Sequence, residues 1–272
     1  MVVVAGVVLA GGRSTRMGTS KAALEWHGST LVRRVAGILA RAVGGPVFVV
    51  AAPGQRLPRL PQDITVLTDP FEGRGPLQGL AVGLAAAADV AAPVAFVCST
   101  DVPLLHPAVV RRVVDGLQDG ADVALPVVDG RRQPLLAAYR TALAGAVADW
   151  VAGGERRVTV VAERSRVNPL TARDLLAAAA VRAGDPDLSS LSNLNRPSDY
   201  RAARDAPAPA VSVRCGARAA HAVRAATVAA AAAEIGLPWR PGSALLDGAI
   251  VSDGTTPLVA GDEVIFLVRD GG

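Results

Sequence analysis

The sequence predicts an α/β domain with a mostly parallel sheet and helices on both faces, followed by a small α+β module. Three observations carry this. Short Val-rich apolar runs alternate with helical patterns through the first half of the chain, which argues for right-handed βαβ units. The apolar runs are nearly continuous, as strands covered on both faces are. At the Ala/Pro stretch Asp205-Ala206-Pro207-Ala208-Pro209-Ala210 the texture changes, so the domains read as 1–204 and 211–272 with a linker at 205–210.

The elements follow in order. Residues 2–9 are short, Val-rich and nearly free of polar side chains, a buried strand. Leu31, Val35, Ile38, Leu39 and Ala42 recur at helical spacing and predict a helix over 30–43, capped by Ser29 or Thr30. Residues 46–52 and 64–67 are two further strands. Leu77, Leu80, Leu84 and Ala88 mark a helix, 94–98 a strand, 109–117 a helix and 121–125 a strand. Beyond Pro126 the pattern loosens: a strand over 133–139, a helix over 141–151, an ambiguous stretch over 155–163, an Ala-rich helix over 172–183 and a short strand over 191–195. In the last 62 residues Val211, Val213 and Cys215 alternate. A helix over 227–235 follows, then strands at 244–246, 249–251 and 263–268.

At 272 residues, with 51% apolar residues, the chain can hold one medium domain and one small one. Its 28 basic and 24 acidic residues are mixed along the chain with no Lys/Arg block, so neither a nucleic-acid surface nor a membrane-bound role is indicated. The two cysteines, Cys98 and Cys215, are far apart, which argues against a disulfide framework and fits a reducing cytoplasm. No CxxC or Cys/His cluster suggests zinc, and His27, His106 and His221 share no ligand spacing; all three read as structural or solvent-exposed. The apolar N-terminus lacks a basic n-region and a cleavage site, and no apolar run is long enough to span a membrane.

The richest stretch is Leu9-Ala10-Gly11-Gly12-Arg13-Ser14-Thr15-Arg16-Met17-Gly18-Thr19-Ser20-Lys21. Two glycines end the first strand and allow a ligand to approach the backbone closely. Arg13, Arg16 and Lys21 place three cations within nine residues, which suits a triphosphate; solvated arginines at an ordinary strand-to-helix turn fit the same spacing. The run matches neither the Walker A nor the dinucleotide glycine pattern. Asp101 stands just past the 94–98 strand, at the carboxyl edge where open α/β sheets bind ligands. It suits Mg²⁺, and it equally suits a helix cap. Asp69, after the 64–67 strand, lies at the same edge; its bland reading is a turn residue before Pro70.

These residues resemble a family. The Leu9–Lys21 run, Asp69 with Gly75-Pro76-Leu77-Gln78-Gly79-Leu80, and Cys98-Ser99-Thr100-Asp101-Val102-Pro103 resemble the molybdenum cofactor guanylyltransferases. Asp129-Gly130-Arg131-Arg132-Gln133-Pro134, Gly154-Glu155-Arg156-Arg157-Val158 and Asn193-Leu194-Asn195-Arg196-Pro197 agree. The resemblance covers residues 1 to about 204 and implies a Rossmann-like nucleotidyltransferase sheet. It departs from the family at Val50-Ala51-Ala52, where an asparagine is expected, and at Gln78, where alanine is common. The resemblance implies transfer of GMP from GTP to molybdopterin with release of pyrophosphate. Leu9, Ala10, Gly11, Gly12, Lys21, Asp69 and Asp101 would bind the nucleotide. Asp101 would hold Mg²⁺, Lys21 and Arg16 would neutralise phosphate charge, and Arg156, Arg157, Asn193 and Asn195 would hold the pterin.

The C-terminal module resembles the small MoaD/ThiS-type sulfur carriers of the ubiquitin-like β-grasp fold, on the run Gly261-Asp262-Glu263-Val264-Ile265-Phe266 and the final Gly271-Gly272. It departs from them at Arg269-Asp270. The resemblance implies a glycine carboxylate activated by an E1-like adenylating enzyme, with the large subunit of molybdopterin synthase as a further candidate partner. The rival readings are a cytidylyltransferase or another small-acceptor nucleotidyltransferase, and a carrier or partner-binding protein with a vestigial first domain.

Overall fold

The Val4–Leu9 strand lies inside the larger sheet, all six residues buried. It pairs in parallel with Val94–Ser99 on one side and Val47–Ala51 on the other. Across the sheet the order is Val167–Leu170, Val123–Val128, Leu136–Arg140, Val94–Ser99, Val4–Leu9, Val47–Ala51 and Ile64–Thr68, with Arg131–Arg132 paired to Val123–Val128 off that path. Leu136–Arg140 runs antiparallel to both its neighbours, and the other pairings along the path are parallel. This computed structural model describes residues 2–11, 20–71, 73–118, 120–216 and 218–267. By contacts the chain divides into two units: residues 1–24 with 31–193, and residues 25–30 with 194–272.

Successive residues of the Val4–Leu9 strand show how both faces are covered. A Cβ on Gly6 would lie 3.2 Å from Leu39 of the Leu31–Val43 helix. The next residue, Val7, faces the other way, against Gly83 of the Pro76–Asp89 helix, where an added Cβ would come within 2.4 Å of it. Alternation along a strand sends neighbours to opposite faces, so each of these two glycines lets a helix sit close to the sheet. Leu77, Leu80 and Leu84 of the Pro76–Asp89 helix are fully buried in the core cluster that also holds Ala5, Val7, Val50 and Val97.

Within this unit several expectations change. The helix expected over 172–183 is two short ones, Ala172–Leu176 and Ala179–Gly184; the first is closed by a capping box between Thr171 and Asp174. The ambiguous 155–163 stretch carries the helix Thr159–Arg164, where burial of Val160 and Val161 against the core overrides their β-branched preference. The strand expected over 191–195 is absent: Ser189–Leu191 forms a 3₁₀ turn instead, anchored by Asp185, which accepts from the backbone N–H groups of Ser189 and Ser190. The helix over 141–151 opens with a 3₁₀ turn, Thr141–Leu143, before Ala144–Ala152.

The second unit is built from the short hairpin Glu25–Trp26 with Ser29–Thr30, the helix Pro197–Asp205, and a five-stranded sheet. The hairpin turns through His27 and Gly28, both at positive φ, as a two-residue turn requires. Trp26 Nε1 donates to the Ala203 carbonyl at 3.2 Å, and the Tyr200 hydroxyl donates to the Glu25 carbonyl. Those bonds place the helix Pro197–Asp205 with the hairpin, so the contact boundary falls after Asn193 rather than at the Ala/Pro stretch. That stretch still separates two elements, since residues 206–209 join the helix to the Ala210–Cys215 strand.

The five-stranded sheet has the order His221–Arg224, Ala210–Cys215, Glu263–Phe266, Ala244–Leu246 and Ala249–Val251. Its first and last strands in sequence are adjacent and parallel, and the other pairings are antiparallel. The Val228–Glu234 helix starts at Thr227, whose side chain accepts from the Ala230 N–H. Val228, Ala231 and Ala232 of this helix join Val213, Leu246, Val264 and Phe266 in a separate core. The strand expected over 263–268 is described only as Glu263–Phe266.

Candidate active site

Two chain segments leave the carboxyl ends of neighbouring parallel strands, Val4–Leu9 and Val94–Ser99. They deliver a cation–carboxylate pair to one edge of the sheet. Lys21 Nζ lies 3.3 Å from Asp101 Oδ2. The Ser99 hydroxyl donates to the other oxygen, Asp101 Oδ1. The two charged side chains keep 24% and 16% exposure, enough for a ligand to reach them. Asp101 does not cap the following helix: that helix starts at Pro107, and His106 is its cap, its Nδ1 accepting from the Ala108 N–H at 3.1 Å. The bland reading of Asp101 thereby loses its helix. His106 is structural, as the sequence indicates, and its own N–H donates to Ser190 Oγ.

The segment around Asp101 is held from beneath. Arg34, on the Leu31–Val43 helix, is 2% exposed and donates through Nε to the Pro103 carbonyl. Cys98, one residue before Ser99, is fully buried. Burial first, and the nearby Asp101 charge second, push its thiol far above the ordinary range, so it is an inert core residue. The sequence assigns Cys98 to the strand and the core, and it lies there.

Leu9, Ala10 and Gly11 sit at the carboxyl end of their strand, with the Ala10 and Gly11 N–H groups both donating to the Val50 carbonyl. Gly12 and Arg16 lie outside the described residues, as do Gly271 and Gly272. Asp69 follows the Ile64–Thr68 strand at the same edge of the sheet. Its N–H donates to the Ala51 carbonyl and its Oδ1 accepts from the Phe71 N–H, a turn-forming role for this carboxylate.

Arg156 and Arg157 stand past the Ala144–Ala152 helix. Glu155 Oε1 accepts from the N–H groups of both, and Arg157 pairs with Glu155 at 3.0 Å and with Glu163 at 3.6 Å. The Arg157 side-chain hydrogen bond, then the two backbone ones, hold the Glu155 carboxyl down to about 2. Gly75 meets this turn: at φ +79, a Cβ there would lie 2.7 Å from the Arg156 carbonyl oxygen. The structure thus joins the Gly75-Pro76-Leu77 and Glu155-Arg156-Arg157 motifs, which the sequence leaves 80 residues apart. Asn193 closes the first unit and Asn195 belongs to the second; both are exposed.

Sequence reasoning missed Arg34 and Gln55. Arg34 reads as one more cation on an amphipathic helix. Gln55 follows Pro53-Gly54, a turn signal that marks its position but not its bonds. Among the described residues no group of three His, Cys, Asp or Glu could hold a metal. A single carboxylate still fits Mg²⁺, which is bound through one or two carboxylates together with substrate phosphates. No helix of the described residues is long and apolar enough to cross a membrane.

The arrangement defines a class: an α/β sheet with a cation–carboxylate pair at its carboxyl edge, suited to a phosphate-bearing ligand. Comparison with known proteins narrows that class. Residues 6–167 match the family model of the MobA-like NTP transferase domain. A probable molybdenum cofactor guanylyltransferase of Mycobacterium tuberculosis is 46% identical over 164 residues, 59% of this chain and 80% of the relative. One of Mycobacterium avium is 38% identical over 207 residues, 75% of this chain and 96% of the relative. A solved structure, the molybdopterin-guanine dinucleotide biosynthesis protein A of Archaeoglobus fulgidus, has the same fold with a TM-score of 0.58 at 23% identity, covering 74% of this chain and 97% of that one. The protein is an enzyme, a nucleotidyltransferase. It belongs to the MobA-like NTP transferase family.

Proposed function

We propose that the first unit transfers GMP from GTP to molybdopterin and releases pyrophosphate. The observation that carries this is the Lys21–Asp101 pair at the carboxyl edge of the central strands, in a chain 46% identical to a protein named for that reaction. A phosphate oxygen of the acceptor attacks the α-phosphorus of GTP. The new P–O bond forms as the bond to the bridging oxygen breaks, and pyrophosphate carries the electron pair away. Such transfer needs positioning and charge neutralisation more than a covalent nucleophile. Lys21 releases Asp101 and turns to the phosphates, with Arg16 as the second cation. Asp101 would hold Mg²⁺, which supplies further neutralisation of phosphate charge when bound. Leu9, Ala10, Gly11 and Gly12 line the base and phosphates, and Asp69 contacts the nucleoside. Arg156 and Arg157 hold the anionic acceptor, with Asn193 contributing its amide. The test is pyrophosphate release from GTP and from CTP with molybdopterin present; release from CTP alone assigns the cytidylyl reaction instead.

For the C-terminal module the reading is a β-grasp sulfur carrier. The central parallel pair formed by its first and last strands, with one helix between, supports it. In that role the carboxylate of Gly272 is adenylated by ATP with loss of pyrophosphate, and a sulfur donor then displaces AMP. An E1-like enzyme is the partner this requires. Intact mass after incubation with ATP, a sulfur donor and the activating enzyme should rise by about 16 Da, one oxygen exchanged for sulfur. No such species with a competent partner removes the carrier reading and leaves the transferase reading intact.

A further inference from the structure

We propose that Gln55 is a positioning residue that ties Ser20 to the end of the Val4–Leu9 strand at Ala10 and so sets where Lys21 meets the nucleotide phosphates; this rests on the GTP reading above. Its side-chain amide is divided between two tasks. Oε1 accepts from the Ala52 N–H at 2.9 Å, and the Gln55 N–H donates back to the Ala52 carbonyl at 3.1 Å. These two bonds close the turn Ala52-Pro53-Gly54-Gln55. Pro53 presets that turn's first φ, and Gly54 supplies the positive φ of 68°. The turn therefore has no use for Nε2. Both Nε2 hydrogens go outward: one bond reaches the Ala10 carbonyl at 2.9 Å, the other Ser20 Oγ at 3.1 Å.

Ala10 and Ser20 are apart in sequence, and one planar amide joins them. Ala10 and Gly11 already rest on the Val47–Ala51 strand: both N–H groups donate to the Val50 carbonyl, and a Cβ on Gly11 would lie 3.2 Å from the Ala52 nitrogen. Ser20 runs directly into Lys21, which pairs with Asp101. A fixed amide at this place sets Lys21 relative to the carboxyl end of the Val4–Leu9 strand. Positioning of this kind matters because phosphoryl transfer depends on geometry held to well under an ångström or so.

Gln55→Glu separates the two tasks. It keeps the acceptor that closes the turn and removes the donor to the Ala10 carbonyl, while the Ser20 hydroxyl can turn to donate to the new carboxylate. GTP affinity should fall about tenfold, the size of one or two lost hydrogen bonds. Hydrogen exchange at the Gly11, Ala23 and Leu24 N–H groups should speed up while the thermal midpoint stays within a few degrees. Lowering the pH through the carboxylate range should restore binding in Gln55→Glu relative to wild type, because the protonated acid regains a donor. Ser20→Ala, which leaves the turn untouched, should show a smaller loss of the same kind. Equal GTP affinity in wild type and Gln55→Glu overturns the assignment whatever the exchange rates. Wild-type protein that binds no GTP removes the functional reading instead, and the exchange rates alone then decide whether Gln55 ties Ala10 to Ser20.

Discussion

Two ion pairs of the first unit are built in opposite ways. Lys21 and Asp101 are 80 residues apart and meet because neighbouring parallel strands deliver their loops to one edge. Arg157 and Glu155 are two residues apart and meet within a single turn, with Arg157 still 63% exposed. The first pair exists only in the folded sheet, and each partner is a group that a phosphate or a cation would compete for. The second is local and already has its geometry when a ligand arrives. Exposed pairs contribute little to stability, so the use of Glu155 is to orient two arginines rather than to hold the fold. The contrast predicts unequal consequences when each is broken.

The largest effect belongs to the long-range pair. Asp101→Asn keeps the shape and removes the charge; transfer should fall by at least about a hundredfold, as when a group that balances transition-state charge is lost. The check is pyrophosphate release over a range of Mg²⁺ concentrations, with the thermal midpoint as a control. Wild-type turnover with an unchanged Mg²⁺ requirement would remove Asp101 from the site. Lys21→Ala should weaken GTP binding by about tenfold to a hundredfold, one charge-assisted contact to phosphate. An unchanged GTP titration for that variant would make the pair structural.

The contrast also separates what the sequence displays from what only the fold reveals. The strand 94–98, the turn after it and Asp101 are legible because a buried parallel strand is a continuous apolar run that stops at its carboxyl end. The Lys21 partnership is not legible, since nothing local encodes a contact across 80 residues. The antiparallel Leu136–Arg140 strand reads as a strand, but its direction depends on connections rather than on residue pattern. Val167–Leu170 is not legible as a strand, since Pro169 argues against a central one; it lies at the sheet's end, where a missing N–H is tolerated. Arg34 was hidden for a similar reason. Its bond to the Pro103 carbonyl is one that no periodicity predicts.

A middle-sized effect tests the join between the two acceptor-side motifs. Gly75 and Gly154 both have positive φ, at 79° and 90°. An added Cβ on Gly75 would meet the Arg156 carbonyl at 2.7 Å, whereas at Gly154 nothing lies within 4 Å. Both Gly→Ala variants should lose about 1 kcal/mol or more from backbone strain. Only Gly75→Ala should also move the Arg156 backbone, raising KM for the acceptor while leaving GTP affinity as it was. Equal acceptor KM in the two variants would show that the contact has no bearing on acceptor binding.

The smallest effect is a titration, and it asks what kind of contact holds Arg157. The Glu155 carboxyl is depressed from 4.5 to about 2, with the Arg157 side-chain hydrogen bond the largest cause and its charge the smallest favourable one. A carboxylate whose folded pKa is lowered contributes above its ordinary value and loses that contribution as pH falls through the folded one. Here the window runs from about 4.5 down to about 2. Carbon-detected NMR of the Glu155 side chain should therefore give a midpoint near the lower figure. Arg157→Lys keeps the charge but gives up the planar fork that reaches both carboxylate oxygens. If the hydrogen bonds dominate, the midpoint in Arg157→Lys rises most of the way to that of Arg157→Gln. If charge dominates, Arg157→Lys stays with the wild type and only Arg157→Gln moves. The first outcome means that the turn fixes the direction of the guanidinium, as recognition of a planar or phosphorylated acceptor requires. The second would reduce Arg157 to a nearby charge and shift the weight of acceptor recognition to Arg156.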